Sequence, residues 1–144
     1  MITQQEIAIA GSEKRLAGTV APTKAPCILL VEDDRSLRRY LEVVLRRAGY
    51  EVFVAADGLE AMCVVLRSAV DIVVTDAIMP NLNGYELCRF IRSTPHLARL
   101  PIVLLSALEN KENGQLARPD VYLAKPVSPE ELIACLESLI LEPA

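Results

Sequence analysis

Five short apolar segments are spaced along this chain, and each is separated from the next by a stretch of helical character. They lie at 28–31, 52–55, 72–75, 102–105 and 121–123. Strands that alternate with helices predict a parallel sheet covered by helices on both faces. A hydrophobic content of 52% and a mean hydropathy of +0.31 agree with strands buried on both sides. The chain therefore predicts a three-layer α/β fold built on one five-stranded sheet.

The order of the strands is limited by the handedness of their connections. Right-handed crossovers allow few topologies for five parallel strands. The candidates include the flavodoxin-like order 2-1-3-4-5, which is the order we expect. In that order the sheet has a reversal point between its first and third strands. Open α/β sheets bind ligands at such a point, outside the carboxyl ends of the strands.

Helix signals between the strands carry further predictions. Asp57 and Glu60 have the spacing of a capping box and predict the start of the second helix. Before the fifth strand, the Asn-Gly pair at 113–114 and Pro119 interrupt the pattern, so the fourth helix should be short or irregular. The side chains expected to face the core from the second and last helices are Leu59, Met62, Cys63, Leu66, Leu132, Leu136, Leu139 and Ile140.

The length and net charge of the chain limit its domain organisation and its partners. Its 144 residues suffice for one domain, placed at 26–142, after an N-terminal arm (1–25) that lacks sustained periodicity and is expected to be flexible. A net charge of −4 offers no basic field for direct nucleic-acid binding. The four dispersed cysteines suit buried, reduced thiols. Without a membrane-length apolar stretch or a signal peptide, a cytoplasmic location away from the membrane is expected.

Polar residues follow four of the five predicted strands. Glu32 and Asp33 come after the first, Asp76 after the third, Ser106 after the fourth and Lys125 after the fifth. Because the carboxyl ends of parallel strands share one edge, the order 2-1-3-4-5 brings all five residues together. Most strand-end aspartates only cap a turn, so the significance of Asp76 depends on these neighbours.

The chemistry of this set favours a cation and a phosphoryl group. Clustered carboxylates raise one another's pKa unless positive charge intervenes. Oxygen ligands without histidine or cysteine suit Mg²⁺, with Mn²⁺ as the alternative. Lys125 offers a point charge for phosphate, and the Ser106 hydroxyl can donate to another oxygen. A carboxylate nucleophile, a metal and an ammonium together form a site for an acyl phosphate.

Short motifs stand at each of these strand ends. They are Leu-Val-Glu-Asp-Asp at 30–34, Asp76 followed by Met-Pro at 79–80 and Asn-Gly at 83–84, Leu-Ser-Ala at 105–107, and Tyr-Leu-Ala-Lys-Pro at 122–126. In this order the motifs make the chain, from about Cys27 to Leu141, resemble a response-regulator receiver domain of bacterial two-component signalling.

The resemblance implies a role for each residue of the site. Asp76 would accept a phosphoryl group, and Ser106 would move toward that group while the Tyr122 ring rotates into the vacated space. The implied metal ligands are Asp33 directly, Glu32 through water, Asp76, and the backbone carbonyl of Ile78. The implied phosphoryl-binding and switch residues are Ser106, Lys125 and Tyr122, and the peptide bond before Pro126 would be cis.

Function and partners follow from the same resemblance. The chain would take its phosphoryl group from a histidine kinase or phosphotransfer protein, with Mg²⁺, and would then switch its contacts with a protein target. It would not be a conventional enzyme, since its reactions would be its own phosphotransfer and slow autodephosphorylation. A homodimer would use the face of the fourth helix, fifth strand and last helix, although the stretch before Lys125 is shorter than usual. The chain ends soon after the last helix, so we expect a single-domain or excised receiver without an effector domain.

Three other functions fit parts of the pattern. A pseudo-receiver would share the fold and act by binding alone, independently of phosphorylation; the intact acidic set argues against it. A phosphatase of the haloacid type would need an aspartate two residues after the nucleophile, where this chain has Ile78. A flavin or nucleotide binder would need a phosphate loop after the first strand, where the acidic residues at 32–34 would repel phosphate.

Overall fold

The strands form one parallel sheet in a computed structural model that describes residues 24–107 and 117–141. They are β1 (Cys27–Val31), β2 (Glu51–Ala55), β3 (Ile72–Asp76), β4 (Ile102–Ser106) and β5 (Val121–Ala124). Their order is β2-β1-β3-β4-β5, and every neighbouring pair is parallel. The predicted sheet and its strand order are confirmed.

Helices follow the first three strands and the fifth. They are α1 (Arg35–Arg47), α2 (Gly58–Arg67), α3 (Gly84–Ser93), a 3-10 turn (Pro95–Leu97) and the C-terminal helix (Pro129–Leu141). The body of the predicted fourth helix (108–116) and nearly all of the predicted N-terminal arm (1–23) lie outside the described residues. Within the part described, no helix has both the length and the apolar character needed to cross a membrane.

Each face of the sheet has its own core. Successive residues of a strand point to opposite faces, so Leu29 and Val31 of β1 join one cluster while Ile28 and Leu30 join the other. α2 and α3 cover the first cluster, and α1 and the C-terminal helix cover the second. On the C-terminal helix, Leu132 and Leu136 are buried and Leu139 is half-buried, whereas Ile140 is exposed, so the expected core side ends at Leu139.

The predicted core face of α2 was largely wrong, since Met62 packs against the buried cluster but the other three residues do not. Leu59, Cys63 and Leu66 are exposed, and the helix instead buries Ala61 and Val65. Apolar residues surround this helix on most sides, so their periodicity does not select one face. The small residues decide the packing, because Gly58 and Ala61 let the helix lie close to its neighbours. Gly58 has no room for a Cβ, which would lie 2.3 Å from the carbonyl oxygen of Leu82.

Candidate functional site

Four strands deliver polar side chains to the carboxyl edge of the sheet. One side-chain oxygen from each of Glu32, Asp33 and Asp76 lies within 4.8 Å of the other two. The Nζ atom of Lys125 lies 3.1 Å from Oδ1 of Asp76. Ser106 ends β4 and is buried at the same edge. The structure thus brings together the five residues that follow strands in the sequence.

Glu32 is held firmly by hydrogen bonds from the start of α1. Its backbone N–H donates to the carbonyl of Ala55 at 3.0 Å, which continues the β1–β2 ladder by one residue. The Asp34 backbone N–H donates to Oε2 of Glu32 at 3.0 Å, and Arg38 donates to the Glu32 carbonyl at 2.8 Å. Asp34 itself caps α1 by accepting from the N–H of Leu37. The turn after β1 therefore fixes the direction of the Glu32 side chain.

Burial makes the Glu32 carboxyl an unusually weak acid. The residue is 2% exposed, and this burial raises its pKa from 4.5 to about 7, with a further upward contribution from Asp76. The Asp34 N–H and the Lys125 ammonium lower the pKa, but by less. Oε1 of Glu32 is buried and has no hydrogen-bond partner in the described residues. An unpaired buried carboxylate oxygen needs either a proton or a cation.

The donor set fits a hard divalent cation. Among the residues that the structure describes, three carboxylates share the site with the ammonium of Lys125, so negative charge exceeds positive charge there. Asp33 and Ile78 are exposed, which leaves the outer side of the cluster open to solvent. The Ile78 carbonyl accepts no backbone hydrogen bond in the described residues. Mg²⁺ prefers oxygen ligands of this kind and keeps several waters.

The start of α3 is pressed against the end of β3. The N–H of Gly84 donates to the carbonyl of Ala77 at 2.9 Å. A Cβ at Gly84 would lie 2.1 Å from the carbonyl oxygen of Asp76, so no other residue fits this contact. Asn83 and Glu86 close a capping box at the same helix end. The position of Asp76 is therefore set by the helix as well as by the sheet.

A side-chain hydrogen bond joins the loop after Asp76 to the N-terminus of α2. Asn81, at a φ of 67°, donates from its side chain to Oδ2 of Asp57 at 2.7 Å. The backbone N–H of Glu60 and the Asn81 amide both lower the pKa of Asp57. The predicted capping box at this helix is incomplete, because the Glu60 carboxylate accepts from Ala56, one residue before the cap. The two carboxylate oxygens of Asp57 thus have different partners, because Oδ1 accepts from the Glu60 N–H and Oδ2 accepts from Asn81.

Ser106, one of the two predicted switch residues, lies beside Tyr85, a residue for which the sequence predicted no role. The hydroxyl of Ser106 donates to the carbonyl of Ala107 at 2.8 Å, and the hydroxyl of Tyr85 lies 3.1 Å from Ser106 Oγ. Tyr122 is half-buried, and its hydroxyl has no partner in the described residues. The peptide bond between Lys125 and Pro126 is cis. The sequence feature that could have indicated a role for Tyr85 is its position directly after Gly84.

Comparison with known sequences identifies the family. Residues 28–137 match the profile of the response regulator receiver domain. PilG of Pseudomonas aeruginosa is 31% identical over 114 residues, which cover 77% of this chain and 84% of PilG. The transcriptional regulatory protein GltR of the same species is 36% identical over 116 residues, covering 78% of this chain and 48% of GltR. This chain thus spans about half the length of some of its curated relatives.

Solved structures agree with the sequence match. The receiver domain of a sensor histidine kinase from Pseudomonas aeruginosa superimposes with a TM-score of 0.78 at 35% identity, over 83% of this chain and 100% of that one. That structure has a magnesium ion coordinated in its active-site cleft. The chemotaxis protein CheY4 of Vibrio cholerae gives 0.75 at 31% identity, over 81% and 99% of the two chains. The chain therefore belongs to the response regulator receiver domain family of two-component signalling.

Proposed function

We propose that Asp76 accepts a phosphoryl group from the phosphohistidine of a histidine kinase or phosphotransfer protein, in the presence of Mg²⁺. The observation that carries the proposal is the meeting of three carboxylates within 4.8 Å, with an ammonium 3.1 Å from Asp76. Receiver domains are signalling phosphoacceptors as a family. The related receiver with magnesium in its cleft supports the choice of metal.

The Asp76 carboxylate has the properties of a nucleophile. Its side chain is 7% exposed, so few waters can solvate its charge. Oδ1 accepts a hydrogen bond from Lys125, whereas Oδ2 has no hydrogen-bond partner in the described residues. A weakly solvated anionic oxygen without a donor is more reactive than one in water.

The imidazole of the phosphohistidine is the leaving group of the transfer. A carboxylate oxygen of Asp76 forms a bond to phosphorus while the bond between phosphorus and the imidazole nitrogen breaks. The electron pair of the broken bond leaves with that nitrogen, which then takes up a proton. Lys125, already beside the carboxylate, neutralises charge on the phosphoryl oxygens, and the Ser106 hydroxyl donates to one of them.

Glu32, Asp33, Asp76 and the Ile78 carbonyl are the groups that would hold Mg²⁺. When bound, the ion would supply positive charge against the carboxylates and the incoming phosphoryl oxygens. The buried, unpaired Oε1 of Glu32 supports this assignment, because a cation in the cluster would give that oxygen a partner.

Intact-mass measurement after incubation with acetyl phosphate and Mg²⁺ tests the proposal. Wild-type protein should gain the mass of one phosphoryl group, and should fail to do so after chelation of the metal. Asp76→Asn should not gain it under any condition. Asp71→Asn is the matched control, since Asp71 is an exposed aspartate just before the same strand and should leave the modification intact.

Two outcomes would contradict the proposal. Equal modification of Asp76→Asn and wild type would mean that another group accepts the phosphoryl group. A wild-type protein that neither gains the mass nor shows any Mg²⁺-dependent change would instead be the pseudo-receiver, which acts by binding alone.

A further inference from the structure

The hydroxyl of Tyr85 reaches the proposed switch residue. Tyr85 and Ser106 are 2% and 5% exposed, and their side-chain oxygens are 3.1 Å apart. A serine hydroxyl has one proton, and that of Ser106 is donated to the Ala107 carbonyl at 2.8 Å. The hydrogen bond to Tyr85 therefore ties the Ser106 oxygen to the start of α3, whichever hydroxyl donates in it.

Tyr85 cannot easily move away from the site. It occupies the first turn of α3, directly after Gly84, whose N–H is bonded to Ala77 at 2.9 Å. The absence of a Cβ at Gly84 places this turn in contact with the backbone of Asp76. The hydroxyl of Tyr85 is thus positioned by the same contacts that position the acceptor.

These bonds hold Ser106 in an orientation unsuited to phosphoryl binding. Its proton points to the neighbouring Ala107 carbonyl, and its oxygen is bonded to Tyr85. To donate to a phosphoryl group on Asp76, the Ser106 hydroxyl must leave the Ala107 carbonyl and move relative to Tyr85. The Tyr85 bond consequently opposes the movement.

The Tyr122 hydroxyl is available to form a hydrogen bond with Tyr85. This buried hydroxyl has no hydrogen bond in the described residues, a state that costs free energy. Burial raises the pKa of Tyr122, and Tyr85 and Cys88 raise it to a smaller extent. Tyr85 and Cys88 belong to the buried cluster against which Tyr122 packs.

We propose that Tyr85 is a positioning residue that holds Ser106 in its unphosphorylated orientation, and that its hydroxyl passes to Tyr122 when Asp76 is phosphorylated. The inference rests on the proposed function, because it requires Asp76 to carry the phosphoryl group. It assigns Tyr85 an opposing role: its hydrogen bond favours the resting state of the switch.

Beryllofluoride with Mg²⁺, a stable mimic of the phosphoryl group, provides the test. Tyr85→Phe should bind it about threefold to tenfold more tightly than wild type, the range expected from one neutral hydrogen bond. In a Ser106→Ala background the same substitution should have no effect. Tyr50→Phe is the matched control, since Tyr50 packs in the cluster on the other face of the sheet and should leave the affinity unchanged.

A tightening of equal size in both backgrounds would overturn the inference, because it would show that Tyr85→Phe acts through packing alone. Affinity that does not rise in Tyr85→Phe would overturn it as well. Binding that survives in Asp76→Asn would instead refute the proposed acceptor. The two failures are therefore distinguishable.

A spectroscopic measurement on the wild type needs no variant. The ring carbon bonded to the tyrosine oxygen reports hydrogen bonding of the hydroxyl in ¹³C NMR. Saturation with beryllofluoride should shift this resonance in both Tyr85 and Tyr122. An unchanged Tyr85 resonance would contradict the proposed exchange of partners.

Discussion

β3 and β5 belong to the same parallel sheet, and both deliver residues to the site, but their surroundings differ. β3 lies between β1 and β4, and all five of its residues are buried. β5 is an edge strand bonded to β4, and its residues are half-buried or exposed. The proposed acceptor therefore stands on a fully buried strand, whereas Tyr122 and Lys125 stand on or just after a strand that can move at lower cost.

This difference matches the division of tasks in the proposed function. Asp76 has to keep one position for attack, and the sheet and α3 both fix it. Tyr122 and Lys125 have to respond to a new charged group, which requires some freedom. The proposed function therefore assigns the acceptor to a buried strand and the responding residues to a more exposed edge.

Removal of the charge at the end of β5 should have the largest effect. Lys125→Met should slow phosphorylation by acetyl phosphate about 10²- to 10³-fold, because the developing charge loses its ammonium. The rate of mass gain measures it. Lys24→Met, which removes an exposed lysine before β1, is the control. A near-wild-type rate in Lys125→Met would mean that the edge strand does not contribute to the chemistry.

The pH dependence of stability should reveal the buried acid beside Asp76. The pKa of Glu32 is raised to about 7 in the folded protein, so the folded state binds its proton more tightly than the unfolded chain. Metal-free stability should therefore be highest below the unfolded pKa and fall by about 3 kcal/mol as pH rises from near 4.5 through 7. Urea unfolding in chelator measures this fall, and Mg²⁺ should offset it.

Glu32→Gln should remove most of that dependence, because glutamine carries no titrating proton. Persistence of the full pH dependence in this variant would assign it to other carboxylates and would weaken the electrostatic account of the cluster.

Matched truncations compare the two strands directly. Val74→Ala in β3 should lower the free energy of unfolding by about 2 kcal/mol, through lost burial and a cavity. Val121→Ala in β5 should cost about 1 kcal/mol, since that side chain is already partly exposed. Denaturant midpoints with unchanged slopes measure both. Equal losses would remove the distinction between the strands.

The smallest effect should come from loss of the hydrogen bond between the loop after Asp76 and the N-terminus of α2. Asn81→Ala loses the bond to Asp57 and places alanine at a φ of 67°, so a destabilisation of about 1 kcal/mol is expected. Asn81→Gly keeps the backbone conformation and should cost less. A larger loss for glycine than for alanine would show that backbone conformation is not what Asn81 provides.

The strand order could be predicted because it depends on rules that a sequence displays. Apolar segments of strand length alternate with helical ones, and right-handed crossovers then restrict the topology. The same rules place Glu32, Asp76 and Lys125 at strand ends on one edge. These rules do not predict which of two adjacent acidic residues is buried. Glu32 is buried, while its neighbour Asp33 is exposed.

Side-chain detail between distant elements was harder to predict. The predicted face of α2 was largely wrong because the helix is apolar on most sides and small residues at 58 and 61 determine its contact. The Tyr85–Ser106 hydrogen bond joins residues 21 positions apart, and no local pattern encodes it. Such contacts depend on how two elements pack rather than on either element's own sequence.

The most direct test of the central claim is to locate the phosphoryl group. After phosphorylation by acetyl phosphate with Mg²⁺, borohydride reduces an acyl phosphate of aspartate to homoserine, which peptide mass spectrometry can assign to a residue. The account predicts homoserine at position 76, and none at Asp33 or Asp34. Homoserine at either of those two positions, or its absence from position 76 in protein that carries the added mass, would contradict it.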